Sequence, residues 1–362
     1  MILVVQRLGC LLVLLAIGAV AYGQDRTPKF SNEFLAIGAG GRGLGMGNAQ
    51  VANVRDVTSG YWNPAGLTGV KAKYSIAGMH AEYFAGIAQF DYLAFATPID
   101  SVSAFGVSAV RFGVDDIPDT RFLYDANGAI NYDNIRLFNA ADYAFFFSYA
   151  RKLRAIPGLS VGGSLKVIHR VAGSFATSWG VGLDVGAQYQ AGAWQLGVTL
   201  RDVTTTYNAW SHSSELLADV FAQTGNTIPE SNTEITLPRA IIGAARTFDL
   251  TNELQLTAAL DLDVTFDGQR NTLIDGDPIS VDPHAGVEAG YKQTVFVRAG
   301  ISNIQEVTEL GGGTSTQASP SFGVGLRLQN VQIDYALTDI GDQSESLLSH
   351  IFSVQIDLNG KN

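Results

Sequence analysis

The sequence predicts an all-β protein, a 14-stranded antiparallel transmembrane β-barrel with a short N-terminal plug segment. Three observations lead there. Apolar residues alternate with small or charged ones at period two along most of the chain, and the connections between alternating runs are by turns short and long. No apolar run of 18 or more residues occurs after the N-terminus, which disfavours helical membrane spans and leaves a membrane barrel or a soluble β protein. A soluble sandwich would alternate too, so the loop lengths decide for the barrel.

Residues 1–23 read as a secretory signal peptide. Arg7 is the only charge before the apolar run 8–22, and Ala21 and Gly23 place small residues at a cleavage site that leaves Gln24 first in the mature chain. The run is shorter than a membrane helix requires. Cys10, the sole cysteine, falls inside it, so the exported chain has no thiol, no disulfide and no cysteine-based metal site. Across 362 residues, 23 basic against 34 acidic side chains give a net charge of −11, which argues against nucleic acid as a partner.

Residues 24–73 form the plug segment and 74–358 the barrel. The clearest strand is 254–264, where Leu254, Leu256, Ala258, Leu260, Leu262 and Val264 share one face. The same dyad recurs at 181–189, 194–201, 285–291, 322–328, 331–338 and 352–358, with less regular strands at 74–81, 86–96 and 103–112. Short connections near 98–101, 151–158, 190–192, 247–252, 292–294 and 329–330 alternate with long ones near 113–139, 169–178, 202–235, 265–283, 302–319 and 339–346. Tight periplasmic turns and long surface loops produce that pattern, and both termini then lie on the periplasmic side. The longest loop holds one helical candidate, 214–224, whose Leu216, Leu217, Val220 and Phe221 fit one face; it reads as a short lid.

On the polar faces, Lys166, Arg201, Arg298 and Arg327 alternate into the same interior as Asp184, Asp261, Asp263, Glu288, Asp334 and Asp357. Such charges either line a water-filled path or cross-pair and fill the lumen, and pairing is the expectation for a plugged barrel of this size. A lumen so charged is a poor slide for fatty acids.

Catalysis finds no foothold. The histidines are dispersed, no GxSxG or HExxH occurs, and Ser211-His212-Ser213 is adjacency in sequence rather than triad geometry, so no enzyme activity and no catalytic residue are assigned. Gly38 to Gly43 spells GxGxxG without the βαβ unit that would give it meaning, so no cofactor site is assigned; its glycines suit tight packing in a lumen. Asp125, Asn127, Gly128, Asn131 and Asp133 offer oxygen ligands for calcium, but solvated loop polarity is the simpler reading, and no metal site is assigned.

The tract 34–67 carries Ala36-Ile37, Arg42, Gly45-Met46-Gly47 and Tyr61-Trp62-Asn63-Pro64-Ala65-Gly66-Leu67. It resembles the N-terminal signature of the PorV/PorQ family of Bacteroidetes-type outer-membrane proteins, within the wider group of FadL-like 14-stranded barrels. The resemblance implies a periplasm-facing plug that includes Arg42, Gly45, Gly47, Trp62, Asn63, Pro64 and Ala65, with Asn63 to Ala65 in the place of the FadL-type Asn-Pro-Ala motif. It also implies residence among the lipids of the cell outer membrane and a part in type IX secretion. There the chain would bind secreted proteins through their C-terminal domain or cap the pore of the secretion translocon. The long loops 113–139 and 203–235 would then expose Phe122, Leu123, Tyr124, Trp210 and Phe221, as interface anchors or as girdle residues at the membrane surface. One departure is the end of the chain, where Asn359-Gly360-Lys361-Asn362 stands instead of a terminal aromatic residue.

The alternative is a FadL-like transporter of hydrophobic small molecules, with a mobile plug, an apolar pocket behind the loops and a lateral break in one strand. A lipid bound in the lumen suits either reading. A soluble secreted β protein, such as an adhesin, is a third.

Overall fold

The computed structural model describes residues 31–125, 127–224, 233–309, 312–338 and 349–359. The expected signal peptide and the first residues of the expected plug lie outside them. The chain is a closed 14-stranded antiparallel transmembrane β-barrel around a plug. Its first five strands are β1 (Tyr74–Tyr83), β2 (Ala88–Pro98), β3 (Ser103–Asp119), β4 (Arg136–Lys152) and β5 (Leu159–Ala172). Next come β6 (Ala176–Ala191), β7 (Trp194–Arg201, continued as Thr206–His212), β8 (Thr233–Thr236, continued as Arg239–Asp249) and β9 (Leu254–Thr265). The circuit ends with β10 (Ser280–Tyr291), β11 (Val295–Glu309), β12 (Gly313–Leu328), β13 (Val331–Thr338) and β14 (Ser349–Leu358). Each strand pairs with its predecessor, and β14 pairs with β1 from Tyr74 opposite Leu358 to Glu82 opposite His350, which closes the sheet.

Period-two alternation sorts the side chains. On β1, Ser75, Ala77, Met79, Ala81 and Tyr83 are buried against the lumen while Tyr74 and Ile76 face outward. The outer face is apolar and exposed along most strands, with Leu93, Phe147, Val185, Leu260, Phe322 and Val324 between 41% and 61% accessible. Water would make such a surface costly; a bilayer makes it the stable one.

Two of the long connections expected from the sequence are strand instead. β5 and β6 run on until only residues 173–175 separate them, and β11 and β12 leave only 310–312. The extensions of β11 and β12 are rich in Ser, Thr and Gln, those of β5 and β6 are short and mixed, and a hairpin that projects beyond the membrane is wet on both faces, so the hydrophobic alternation that marks a strand fades there. At the other end of the scale, β2 starts at Ala88 rather than at residue 86. Phe84 and Ala85, at φ 53° and 57°, and Gly86, at 87°, make the tight turn before it.

Besides the short interruption of β8 at residues 237–238, the wall is irregular in three places among the described residues. β3 is bulged between Val114 and Ile117 with Asp116 at φ 57°, and β11 between Ser302 and Gln305 with Asn303 at φ 49°. β7 breaks altogether at residues 202–205, where Asp202 and Thr205 take φ values of 55° and 58°. Inside the barrel lie α1 (Gly41–Gly45) and α2 (Ser59–Trp62), with 3-10 turns at Glu33–Ala36 and Pro64–Gly69. The expected loop helix forms as α3 (Ser214–Thr224), and Arg121 Nη1 ties it down by donating to the Leu216 carbonyl at 3.1 Å.

Candidate functional site

The plug is held by three kinds of contact. The first is backbone against backbone. A Cβ on Gly162 of β5 would lie 2.6 Å from the Ala65 amide nitrogen and 2.6 Å from the Pro64 carbonyl carbon, and one on Gly300 of β11 would lie 2.2 Å from the Gly47 nitrogen. Only glycine allows main chain to approach so closely. Gly197 and Gly286 continue the belt on β7 and β10, and Gly186 of β6 makes room for the Asn63 side chain.

The second is a set of hydrogen bonds from the Asn-Pro-Ala turn. Asn63 Nδ2 donates to the carbonyls of Val51 (2.9 Å), Ala187 (3.1 Å) and Val198 (3.3 Å), while its Oδ1 accepts from the Ala65 amide at 3.1 Å. Pro64 begins the 3-10 turn that Asn63 caps. Gln188 Nε2 donates to the Val51 and Val54 carbonyls at 3.0 Å each, and Trp62 Nε1 to the Ala39 carbonyl at 2.8 Å. Asn63→Ala removes the cap, one of two donors to the Val51 carbonyl, and the ties to the Ala187 and Val198 carbonyls. It is expected to cost about 2–3 kcal/mol, seen as an earlier loss of the compact, heat-modifiable form in a urea series in detergent.

The third is charge. Arg42 of α1 clasps Glu288 of β10 with both ends of its guanidinium, at 3.0 and 3.1 Å. Glu288 also accepts from Arg298 (2.6 Å), and Arg298 reaches Asp334 (2.7 Å), which accepts from Gln332 (2.8 Å); Gln332 in turn accepts from Arg327 at 2.9 Å. A chain of alternating charge thus runs from the plug across β10, β11, β13 and β12. Across the lumen, Lys166 lies between Asp184 (2.9 Å) and Asp202 (2.7 Å), and Thr206 Oγ1 donates to the same Asp202. Arg201 donates to the carbonyls of Leu35 (2.9 Å) and Tyr61 (3.1 Å). Asp261 accepts the consecutive amides of Gln50 (2.7 Å) and Val51 (2.8 Å), and Asp263 pairs with Arg239 at 3.2 Å. Asp357 accepts from Ser75 at 2.5 Å.

All ten charged residues expected in the lumen share the inward parity; eight of them cross-pair or hold the plug, while Arg327 and Asp357 bond the neutral wall residues Gln332 and Ser75. Space left between the plug and β1, β13 and β14 amounts to about 20 Å³, room for a single water. The plug is also deeper than a periplasm-facing hatch. At its far end Asn208 Nδ2 donates to Ser31 Oγ (2.8 Å), and Asn32 Nδ2 donates to Thr236 Oγ1 (2.7 Å), on the long-loop side of the β7 break.

Arg42, Gly45, Gly47, Trp62, Asn63, Pro64 and Ala65 are all buried or half-buried in this assembly. The residues that sequence reasoning missed are Gln50, Gln188, Asp202, Gln332 and the glycine belt. A signal for the belt existed: Gly180, Gly182 and Gly186 share one face of β6 with Asp184.

The five loop aromatics and aliphatics do not form one surface. Phe122 and Tyr124 are exposed in the β3–β4 loop with Leu123 between them, and Phe221 lies half-buried on α3. Trp210 is a correction: it belongs to β7, not to a loop, and faces the lumen with the Arg170 guanidinium 5.2 Å from its ring. The oxygen-rich cluster beside them caps turns. Asp125 Oδ1 accepts the amides of Asn127 (2.8 Å) and Ala129 (3.0 Å), and Asn131 Oδ1 that of Asp133 (3.0 Å).

No family model matches this chain, and no curated protein matches it. Among solved structures it is similar to the toluene transporter TodX of P. putida, with a TM-score of 0.57 at 12% identity over 90% of this chain and 99% of that one. It is similar also to a Pseudomonas aeruginosa FadL homologue (TM-score 0.52, 13% identity, 89% and 98%). The Ralstonia pickettii toluene transporter TbuX aligns in the same way (0.52, 14%, 89% and 99%). The chain has the fold of these FadL-type outer-membrane barrels. The narrower likeness to PorV/PorQ proteins rests on the tract 34–67 alone.

Proposed function

We propose that the protein is an outer-membrane channel that admits a hydrophobic small molecule along one wall of its lumen. What supports this is the division of that lumen into two chemistries. On β1 to β5, Tyr83, Phe90, Tyr92, Val110, Phe146 and Ile168 make a buried apolar face packed on Phe34, Leu35 and Ile37 of the plug. On β10 to β13, ion pairs hold it. The Tyr83 hydroxyl is buried with no hydrogen-bond partner among the described residues, so a largely apolar wall carries a polar group able to orient a ligand. The plug is anchored at Arg42 and Asn63; opening a path at its 31–37 end breaks apolar contacts and the bonds of Arg201 to the Leu35 carbonyl and Arg270 to Glu33, and both cations keep a second partner, in the Tyr61 carbonyl and Asp267. The fold shared with toluene transporters supports the same reading, which includes no catalytic step.

The test is uptake of a radiolabelled monoaromatic hydrocarbon or long-chain fatty acid by cells that lack their own channel and express this chain. Uptake above the empty-vector level is expected, falling by about tenfold in Phe90→Ala with Phe146→Ala, because two aromatic walls are removed. No uptake by a correctly folded barrel would overturn the reading.

A second reading, a type IX secretion component that binds secreted proteins or caps the secretion pore, is supported by the tract 34–67 and by a pre-organised rim. The Arg121 and Arg136 guanidiniums lie 5.5 and 4.7 Å from the Phe122 ring, Tyr124 bridges to Ile130, and Tyr124 is 64% exposed. A rigid rim with exposed aromatics is what a docking surface for a C-terminal domain needs. Stoichiometric secreted proteins, or a large translocon, eluting with the native protein in mild detergent would favour this reading; a lone barrel with bound lipid would favour the channel.

A further inference from the structure

Alternation on β1 places His80 and Glu82 on the outer face with Tyr74 and Ile76, and on β2 it places Asp91 there with Leu93. His80 Nδ1 lies 2.7 Å from Asp91, which faces Arg111 of β3 at 3.6 Å; Arg111 binds Asp115 at 3.1 Å. His350, opposite Glu82 in the β14–β1 register, bonds the Tyr335 hydroxyl at 2.6 Å. A hydrogen-bonded, charged patch thus occupies the outside of the barrel.

Its height makes it anomalous. His80 lies six residues along from Tyr74, the short-turn end of β1. At about 3.3 Å per residue and a tilt near 40°, that is roughly 15 Å up a lipid-facing band about 25 Å tall. Residues at the same distance from the short-turn ends of four other strands are Leu165, Val185, Leu260 and Phe322, all apolar and 41–56% exposed. Acyl chains leave the patch unsolvated. An anionic lipid headgroup is repelled, because within the band Glu82 and Asp91 outnumber Arg111, whose other partner Asp115 lies above it, and leave an excess of negative charge. A groove of about 610 Å³ opens at the same place, with Gly78 and Ala109 on its floor and Leu93, Phe145, Phe352 and Val354 around it.

We propose that the outer wall of β14, β1, β2 and β3 is a lateral docking surface for a second membrane-embedded protein that presents a lysine or arginine from its own spanning segment. The groove receives the apolar part of that segment, and the acidic patch neutralises its cation at a depth where lipid does not. The inference is independent of what the lumen carries.

The test places a photo-crosslinking amino acid at Leu93 of the full chain in its native outer membrane, with the same group at Val185 on another part of the wall. A discrete protein adduct is expected from position 93 and none from 185, with the crosslinked peptide of the partner carrying a basic residue within its spanning segment. Glu82→Lys with Asp91→Lys should cut the adduct by about tenfold or more while the barrel stays heat-modifiable. Glu82→Gln with Asp91→Asn, which removes charge without reversing it and keeps the side-chain size, should cut it less. Adducts to lipid or lipopolysaccharide, adducts to a second copy of this chain, or a yield indifferent to the charge reversal would each overturn the proposal.

Discussion

Gly162→Val should unseat the plug and turn a sealed barrel into a conducting one, whereas Gly163→Val, one residue along the same strand, should change nothing. The two glycines face opposite sides of β5. A Cβ at 162 would meet the Ala65 nitrogen and Pro64 carbonyl carbon at 2.6 Å, and these are main-chain atoms that no rotamer change can move. At 163 the nearest atom would be 3.5 Å away, an ordinary contact on the lipid side. Overpacking typically costs about 1–3 kcal/mol, and more where backbone is the obstacle. The Asn63 hydrogen bonds to Ala187 and Val198 sit beside the obstructed turn and fail with it. Planar-bilayer recording reads the result directly: stepwise conductance well above the parent level for Gly162→Val, and parent-level traces for Gly163→Val. Equal traces for both variants would mean that the plug is seated by something other than this close approach.

The second large effect is expected at Lys166. The residue is 1% exposed, and its ammonium lies between Asp184 and Asp202, beside the break in β7. Lys166→Met keeps the length of the side chain and removes the cation, leaving two carboxylates buried side by side. Breaking a buried pair in this way costs roughly 3–5 kcal/mol, because the abandoned charges remain desolvated. The compact form of the variant should therefore be lost at a markedly lower temperature on unboiled gels. Adding Asp184→Asn and Asp202→Asn should restore most of the loss, since an uncharged polar set no longer repels itself. Failure of the triple variant to recover would show that these carboxylates matter through their hydrogen bonds, such as that from the Asp202 amide to Asp184 at 2.8 Å, and not through charge.

How much of this was legible in the sequence follows from where the physics is strong. The strand 254–264 and its counterparts are readable because lipid outside and packed polarity inside enforce period two there. The inward face of Lys166, Asp184 and Glu288 follows from the same parity. Outside the membrane that pressure vanishes, which is why the upper parts of β5, β6, β11 and β12 look like loops, and why Trp210, on a wet stretch of β7, looks like a loop residue. The pairing of Arg42 with Glu288 is invisible for another reason: it joins a plug residue to a strand 246 positions away, and nothing local marks either partner for the other. Arg111 and His80 stand on the face that parity assigns to lipid, and that conflict between position and chemistry is what singles them out.

The seam between β1 and β14 joins the two ends of a barrel sequence, and closing so long a loop carries the largest entropic cost in the molecule. The plug touches both sides of it: the Gly40 amide contacts Met79 of β1 at 2.9 Å, and the Gly41 amide donates to Ser353 of β14 at 2.9 Å. The plug therefore bridges from the inside the two strands whose pairing closes the cylinder. Open edges are what lipid tolerates least, and the plug lies against the one pairing that leaves the sheet without any.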